Sequence, residues 1–334
     1  MSTNHAEQIA ETFELSHLPS GFHDNPYPIY RALREHAPVK RMEDGLIRLV
    51  DTLLDRMEDK RDVDLIEDFA SAIPIEVIGN LLDVPVDERG PLREWSLAIL
   101  GALEPVLSTD VAERGNRAVT EFINYLNDLI ARRRANPGNP EIDVLTRLIQ
   151  GEADGEKLSA KELIHNCIFL LNAGHETTTN LIGNGLVCLA EYTNQREQLL
   201  KQPDLIKLAV EEMLRFESSN QLGNRITTET VEVGGITMPP QTRVTLCIGA
   251  GNRDPSQFND PEIFDIARTP NRHMAFASGT HACAGMSLAR LEGQIAIRRF
   301  IKRFPNYALA GSPLRGGRVR FRGFLQIPAL VNVP

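Results

Sequence analysis

The sequence predicts a mainly α-helical protein with a small β region. Three observations predict it. Apolar residues recur at spacings of three and four through most of the chain. A stretch from 159 to 192 follows a capping signature and contains no proline. Period-two alternation with turn glycines is confined to the last third. With 334 residues the chain can enclose a large core. Its 42% hydrophobic and 24% charged residues are those of an ordinary globular protein, not of a disordered or fibrous one.

Taken in order, residues 46–57 place Leu46, Leu49, Val50, Leu53 and Leu54 on one helical face. A second helix over 119–134 turns Phe122, Ile123, Leu126, Leu129 and Ile130 inward and stops at Asn136-Pro137-Gly138-Asn139-Pro140. Asp154-Gly155 turns the chain, and Ser159-Ala160-Lys161-Glu162 is a capping box that opens the longest helix. At ~1.5 Å per residue that helix spans about 50 Å. It is apolar on more than one face, as a buried helix must be. Residues 204–216 form a further helix. Residues 229–237 alternate around Gly234-Gly235, and 243–248 are apolar and β-branched, which reads as short strands and a hairpin. Residues 252–268 are rich in Asp, Pro and Asn and read as ordered loop; Asn252-Arg253-Asp254-Pro255 is turn chemistry. Helix returns over 288–304, and 318–327 reads as a final hairpin.

The formal charge of -9 argues against a nucleic-acid partner, which normally meets a basic excess. The first eleven residues are polar, and no apolar run approaches the roughly 18 residues of a membrane span. The cytoplasm is the expected location. The four cysteines have no CxxC spacing and do not read as a disulfide framework.

Chemistry concentrates at two places. Phe276-Ala277-Ser278-Gly279-Thr280-His281-Ala282-Cys283-Ala284-Gly285 precedes a helix that begins near Met286. A cysteine there faces unpaired N–H groups and the positive end of the helix dipole, which favour a thiolate. Gly279 and Gly285 let the backbone fold closely round the sulfur. The competing readings are a small buried residue, as for Cys167, Cys188 and Cys247, or a zinc ligand; His281 and Cys283 alone are too few for zinc. The second place is the middle of the long helix, Ala173-Gly174-His175-Glu176-Thr177-Thr178. Gly, Thr and a charge are poor choices for a buried helix interior, so a local rule is broken there. Ala173 and Gly174 leave room for a planar group, and Thr177 can bond a carbonyl one turn back. Glu176 can equally close a structural ion pair. His175-Glu176 can open an HExxH zinc motif, but position 179 is Thr179. Glu212 and Arg215 stand three apart on one face, which by itself reads as a solvated pair worth about 0.2–0.5 kcal/mol.

Together these segments resemble the cytochrome P450 family, its soluble bacterial branch in particular. Phe276, Gly279, His281, Cys283 and Gly285 match the family's haem-binding loop residue by residue, and 173–178 resembles its oxygen-binding groove. Glu212 and Arg215 match its ExxR motif, and Arg268 the third member of that buried cluster, which is expected to brace the Cys283 loop. The resemblance implies the family's fold, a single haem-enclosing domain over 1–334 with parts at 1–41, 45–216, 217–282 and 283–334. It implies haem b (iron protoporphyrin IX) with Cys283 as the axial iron ligand, whose sulfur favours O–O cleavage. Phe276, Gly279, Gly285, Ala173 and Gly174 would frame the cofactor, Arg225 and His281 would bind its propionates, and Glu176 and Thr177 would relay protons. Gln221 and Leu222, in the segment 218–224, are the implied substrate contacts.

The implied activity is O2- and electron-dependent hydroxylation of a small apolar or aromatic organic compound. The implied electron donor is a ferredoxin with its reductase, docking on a basic cluster of Arg290, Arg298, Arg299, Lys302 and Arg303. The likeness runs over nearly the whole chain, with Asn25-Pro26-Tyr27-Pro28 and residues 33–39 resembling the family's first helix and the approach to its first strand. Between Val39 and Gly45, where the family carries a block covering the distal side of the haem, only residues 40–44 stand. The alternative is therefore a haem-binding protein without efficient turnover, its distal cap missing.

Overall fold

The computed structural model describes residues 40–60, 62–139, 143–150 and 158–332. The motifs expected at 25–28 and 33–39, and the Asp154-Gly155 turn, lie outside the described residues. The chain divides into two units, Met1–Arg48 and Leu49–Pro334. In the first, the described residues are helical and begin helix α1 (Lys40–Glu58).

In the second unit, α1 continues and buries Val50, Leu53, Leu54 and Met57, the face its spacing predicts. A short strand β1 (Asp62–Asp64) and a π-helical turn (Ile66–Ala70) follow. Helices α2 (Ala72–Leu81), α3 (Leu92–Gly101) and α4 (Thr109–Ala135) come next. Helix α4 starts where the Ser108 hydroxyl accepts from Val111 N and ends at Asn136, before Pro137. Phe122, Leu126, Leu129 and Ile130 are buried on it as expected. After α5 (Val144–Gln150) comes α6 (Ala160–Glu191), 32 residues opened by the full capping box of Ser159 and Glu162.

Helix α6 is the centre of this second unit. It packs against α2, α3 and α4, and also against α8 (Ile206–Phe216) and α10 (Met286–Arg303). This two-sided packing explains why it is apolar on more than one face. One core cluster, including Ile78, Leu82, Phe122, Leu126, Leu145, Leu163, Cys167 and Leu171, lies between α6 and α2 to α5. Helix α7 (Thr193–Lys201) leads from α6 towards α8.

The β region is small. Strand β2 (Leu222–Ile226) pairs antiparallel with β5 (Arg243–Cys247), Arg225 opposite Val244. Between them β3 (Val231–Val233) and β4 (Ile236–Met238) form the expected hairpin. Its turn is Gly234-Gly235, with φ of +60° and +79°, a left-handed pair that suits glycine and matches strand twist. A short helix α9 (Ile248–Gly251) follows. The described residues from 252 to 278 form no helix or strand, a stretch that includes the 252–268 loop the composition predicts.

Two readings need correction. The final hairpin does not span 318–327: β7 (Leu314–Arg315) pairs with β8 (Phe324–Gln326), and 318–322 lie in the loop between them. Strand β9 (Pro328–Leu330) pairs instead with β1 and with β6 (Ala308–Leu309). Cys247, expected to be buried like Cys167 and Cys188, is exposed at the end of β5. That strand is only partly covered, so an apolar, β-branched run there did not mean burial.

Candidate functional site

A cavity of about 380 Å3 opens between the middle of α6 and the start of α10. From α6 it is lined by Asn172, Ala173, Gly174, Thr177, Thr178 and Leu181. From the opposite side come Phe276, Ala277, His281, Cys283 and Gly285. Helix α10 adds Leu288, Ala289 and Glu292, and the 219–220 turn adds Ser219 and Asn220. A larger cleft of about 720 Å3 is lined by Arg93, Glu94, Arg114 and Arg318 and contains none of the expected site residues except through Arg318's partner Glu176.

The Cys283 loop is shaped by its backbone. Cys283 N donates to Phe276 O at 2.9 Å, closing the loop, and Met286 N donates to Cys283 O at 3.3 Å as α10 begins. Gly279 has φ +64°, the left-handed region the sequence reading required. Gly285 does not: its φ is -88°. A Cβ there would stand 4.0 Å from Cys283 Sγ, so its small size keeps space beside the sulfur rather than permitting an unusual turn. Cys283 is an exposed free thiol.

Across the cavity, Thr177 Oγ1 donates to Ala173 O at 2.9 Å, the one-turn-back bond expected of it. The helix remains unbroken there. Gly174 is also small for packing, since a Cβ would meet Ile78 Cδ1 of α2 at 2.5 Å. Glu176 points elsewhere. Its two oxygens both accept from Arg318 Nη1, and Arg318 Nη2 donates to Leu97 O at 3.0 Å. Burial pushes the Glu176 carboxyl up, and the Arg318 guanidinium opposes it. Thus the ion pair that the sequence left open is present, and Glu176 is absent from the residues lining the cavity. The cause is helical: a step of one residue carries 176 about 100° away from the Ala173–Thr177 face. His175 shares this polar cluster, with Nδ1 3.0 Å from Ser96 Oγ. Burial, helped by Arg93 and Arg318, pushes it down to about 3, so it is neutral. Among the described residues no three His, Cys, Asp or Glu side chains are grouped to hold a metal ion, which leaves the HExxH reading without ligands.

Glu212, Arg215 and Arg268 come together as one buried cluster. Arg215 binds both Glu212 oxygens at 2.7 Å, and Arg268 Nε lies 3.1 Å from each. Arg215 also donates to the carbonyls of Asn252, Pro261 and Ile263. The reading as a solvated pair is overturned: both side chains of the Glu212–Arg215 pair are wholly buried. The cluster reaches the Cys283 loop indirectly. Arg215 holds Asn252 O, Asn252 Oδ1 accepts from Met274 N, and Met274 O accepts from Ala277 N. Beside it stands a set the sequence reading missed. Glu211 binds Arg290 at 2.7 Å and His273 at 3.0 Å, and Arg290 lies over the Phe276 ring, 4.7 Å from its centroid. Burial would raise Glu211, but Arg290 and His273 outweigh it and hold it at about 2.

Other expected contacts fall outside the cavity. Gln221 and Leu222 do not line it; Ser219 and Asn220 do. The Gln221 amide turns back to Ser218 O at 2.6 Å, and Leu222 is already committed to β2. Arg225 likewise sits on β2 and donates to Asn224 O, outside the lining, whereas His281 is within it. The basic cluster on α10 is largely neutralised: Arg290 pairs with Glu211, Arg299 with Asp51, and Arg303 with Asp55 and Glu58. Arg298 and Lys302 are exposed. Helical spacing could not reveal this, because the acids of α1 are some 250 residues away.

The family model "Cytochrome P450" matches residues 95–309. The "Biotin biosynthesis cytochrome P450" of Bacillus subtilis (strain 168) is 39% identical over 265 residues, covering 79% of this chain and 66% of the relative. The "6-deoxyerythronolide B hydroxylase" of Saccharopolyspora erythraea is 38% identical over 271 residues, 81% of this chain and 65% of the relative. The chain therefore spans about two thirds of the length of these curated relatives. Among solved structures, P450BioI in complex with hexadec-9Z-enoic acid ligated acyl carrier protein superposes with a TM-score of 0.83 at 34% identity, covering 98% of this chain and 79% of that one. Cytochrome P450 PksS of Bacillus subtilis 168 gives 0.81 at 32% identity, with 99% and 84% covered.

Proposed function

The chain belongs to the cytochrome P450 family, and from that premise we propose that it is a haem-thiolate monooxygenase that hydroxylates a small, largely apolar organic compound with O2 and electrons. The observation that carries this reading is the cavity with Cys283 on one wall and Ala173, Gly174 and Thr177 on the other. The residues present fit haem b. A free thiol stands on one side with Gly285 leaving space by the sulfur, small residues stand opposite, and Leu181, Leu214, Ile248, Leu288 and Phe321 make an apolar surround. Cys283 would hold the iron, Phe276 and Ala289 would flank the ring, and His281 would meet a propionate. When bound, haem supplies an iron centre able to activate O2.

The residues of the chain do the rest. Leu103, Phe169 and Ile248 offer apolar contact to a substrate, and Asn172 and Asn220 give it polar edges. Thr177 brings a hydroxyl to the cavity wall, its oxygen able to accept there while its proton is donated to Ala173 O. Glu176 would act as an acid only on release by Arg318. Thr177→Ala is expected to leave haem in place but to divert electrons to peroxide, lowering product per electron severalfold. Unchanged coupling in that variant counts against the relay.

Small electron-transfer proteins are the proposed donors, a ferredoxin with its reductase first among them. With three of the five cations on α10 paired, steering rests on Arg298 and Lys302. The double variant Arg298→Glu/Lys302→Glu is expected to slow reduction at low ionic strength, and the difference is expected to vanish at high salt. Equal rates at low salt rule out docking there. Among the described residues no helix is long and apolar enough to cross a membrane. A cytoplasmic location is proposed.

A second reading turns on two residues of the cavity lining. Phe169, on the cavity lining, is 65% exposed, and Leu103 beside it 50%. Water reaching the cavity there would weaken controlled proton delivery. The protein would then bind haem without efficient turnover. Haem retention on gel filtration, with and without a family-type segment inserted between Val39 and Gly45, separates the two readings. Tight stoichiometric haem and coupled turnover in the 334-residue chain exclude the second.

A further inference from the structure

Glu211, His273 and Arg290 form a set of their own, and none of the three lines the cavity. Glu211, on α8, takes Arg290 of α10 through two bonds, Nε to Oε1 at 2.7 Å and Nη2 to Oε2 at 2.8 Å. Two parallel bonds fix the plane of the guanidinium, which one bond would leave free to turn. His273 Nε2 lies 3.0 Å from the same Oε2. Its other ring nitrogen, Nδ1, accepts from Ala275 N at 3.2 Å. An imidazole that accepts at Nδ1 carries its proton on Nε2, so His273 is neutral here and donates to Glu211.

The guanidinium held in this way faces the Cys283 loop. Its Cζ lies 4.7 Å from the centroid of the Phe276 ring, and Phe276 lines the cavity. Phe276 O accepts from Cys283 N at 2.9 Å, so ring and sulfur belong to one closed loop. The Glu211 hydrogen bonds raise Arg290 above the ordinary arginine value against the cost of burial, and the charge of Cys283 adds to the rise. Arg290 is thus a fixed cation that the sulfur feels.

Other charges near this point are neutral, paired or screened. Glu292, also on α10, is 2% exposed, and burial pushes its carboxyl up to about 8, so it is an uncharged acid at neutral pH. Glu212 is taken by Arg215 and Arg268. Arg298 and Lys302 stand further along α10, exposed to solvent. Arg290 and its counter-ion are the opposed charges set against the Cys283 loop. Their side chains are 32% and 22% exposed, so water screens them only in part.

One-electron reduction at the Cys283 site adds a negative charge there. A cation held nearby favours that change, and an anion opposes it. We propose that Arg290 is an electrostatic control on the reduction potential of the haem bound at Cys283, with Glu211 and His273 as the positioning residues that hold its charge against the Phe276 ring and offset part of it. The electron comes from a small electron-transfer protein, ferric iron becomes ferrous, and no bond is made or broken. This rests on the haem-thiolate reading of the cavity.

The test is the midpoint potential of the haem-loaded full chain, read by spectroelectrochemistry with soluble mediators, so that docking of a donor plays no part. Arg290→Gln removes the cation and leaves Glu211, and the potential is expected to fall. Glu211→Gln leaves the cation unopposed, and the potential is expected to rise. At a fixed applied potential the ferrous-to-ferric ratio is expected to change roughly two- to fivefold in each, the size of a partly screened charge interaction. The double variant is expected to return close to wild type, and Arg290→Lys, which keeps the charge, to stay there. A brace without an electrostatic role would move both single variants the same way and the double variant further. Shifts of the same sign, or no shift in either single variant, overturn the proposal. If Glu211→Gln fails to hold haem, the lysine variant decides: a potential as low as that of Arg290→Gln overturns the proposal. A haem-loaded wild type without the red-shifted carbon monoxide band overturns the haem-thiolate reading itself; with that band present and the opposed shifts missing, this proposal alone fails.

Discussion

Cys283→Ser is expected to abolish the red-shifted Soret band that the reduced, haem-loaded protein forms with carbon monoxide. The band reports an anionic sulfur on the iron, and a serine hydroxyl is not ionised near neutral pH. The substitution is otherwise gentle. Cys283 holds the loop through its backbone N–H to Phe276 O and its carbonyl to Met286 N, and neither uses the side chain. Nor does it leave a hole in the core, since Cys283 is exposed. Stability should therefore change by less than about 1 kcal/mol, as for other substitutions at exposed positions. An unchanged spectrum in the folded variant removes Cys283 as the iron ligand. The other three cysteines serve as internal controls: Cys167→Ala, Cys188→Ala and Cys247→Ala should each retain the band.

The second large effect is on stability. Glu212→Gln is expected to destabilise the fold by roughly 3–5 kcal/mol, because it strands two guanidinium groups in a buried site. Glu212 is the anion facing both Arg215 and Arg268, and it also accepts from Asp265 N and from Asn271 Nδ2. A neutral amide keeps the shape but offers one acceptor oxygen where five donor nitrogens of four residues converge. Arg215→Lys should be nearly as damaging. A lysine cannot reproduce the fork that binds Glu212 and the Asn252, Pro261 and Ile263 carbonyls together. Urea unfolding followed by circular dichroism measures both, with the midpoint moving and the slope unchanged. A loss below about 1 kcal/mol, the worth of an exposed pair, shows that the cluster is not structural.

Glu292 adds a pH dependence to stability. Its folded value of about 8 lies above the ordinary 4.5, so between those values the folded state holds a proton that the unfolded state has released. The folded state therefore binds more protons there, and stability falls as pH rises from about 4.5 to about 8. Glu292→Gln should flatten that slope. A slope equally steep in the variant assigns it to other groups.

Much of the architecture was legible in the order of residues. Helix α6 was bounded by its capping box, α4 by Asn136-Pro137, and the β3–β4 hairpin by Gly234-Gly235, because caps, breakers and left-handed turns act within a few residues. The Cys283 loop, the Thr177 bond to Ala173 O and the Glu212–Arg215 pair were legible for the same reason: each lies within one segment. What the tertiary structure alone decided are pairings between distant segments. Strand β9 was free, on its sequence, to close a local hairpin, yet it pairs with β1, across some 265 residues. Arg318 claimed Glu176 and turned an expected relay acid away from the cavity, and the acids of α1 silenced part of the α10 cluster. Gln221 and Leu222 gave way to Ser219 and Asn220 once β2 took up its register. Glu292 carried no local signal, since a glutamate on a helix reads as solvated until the helices around it remove the water. Local spacing determines which bonds a segment can make with itself; charge partners and burial depend on which surfaces meet, and that only packing decides.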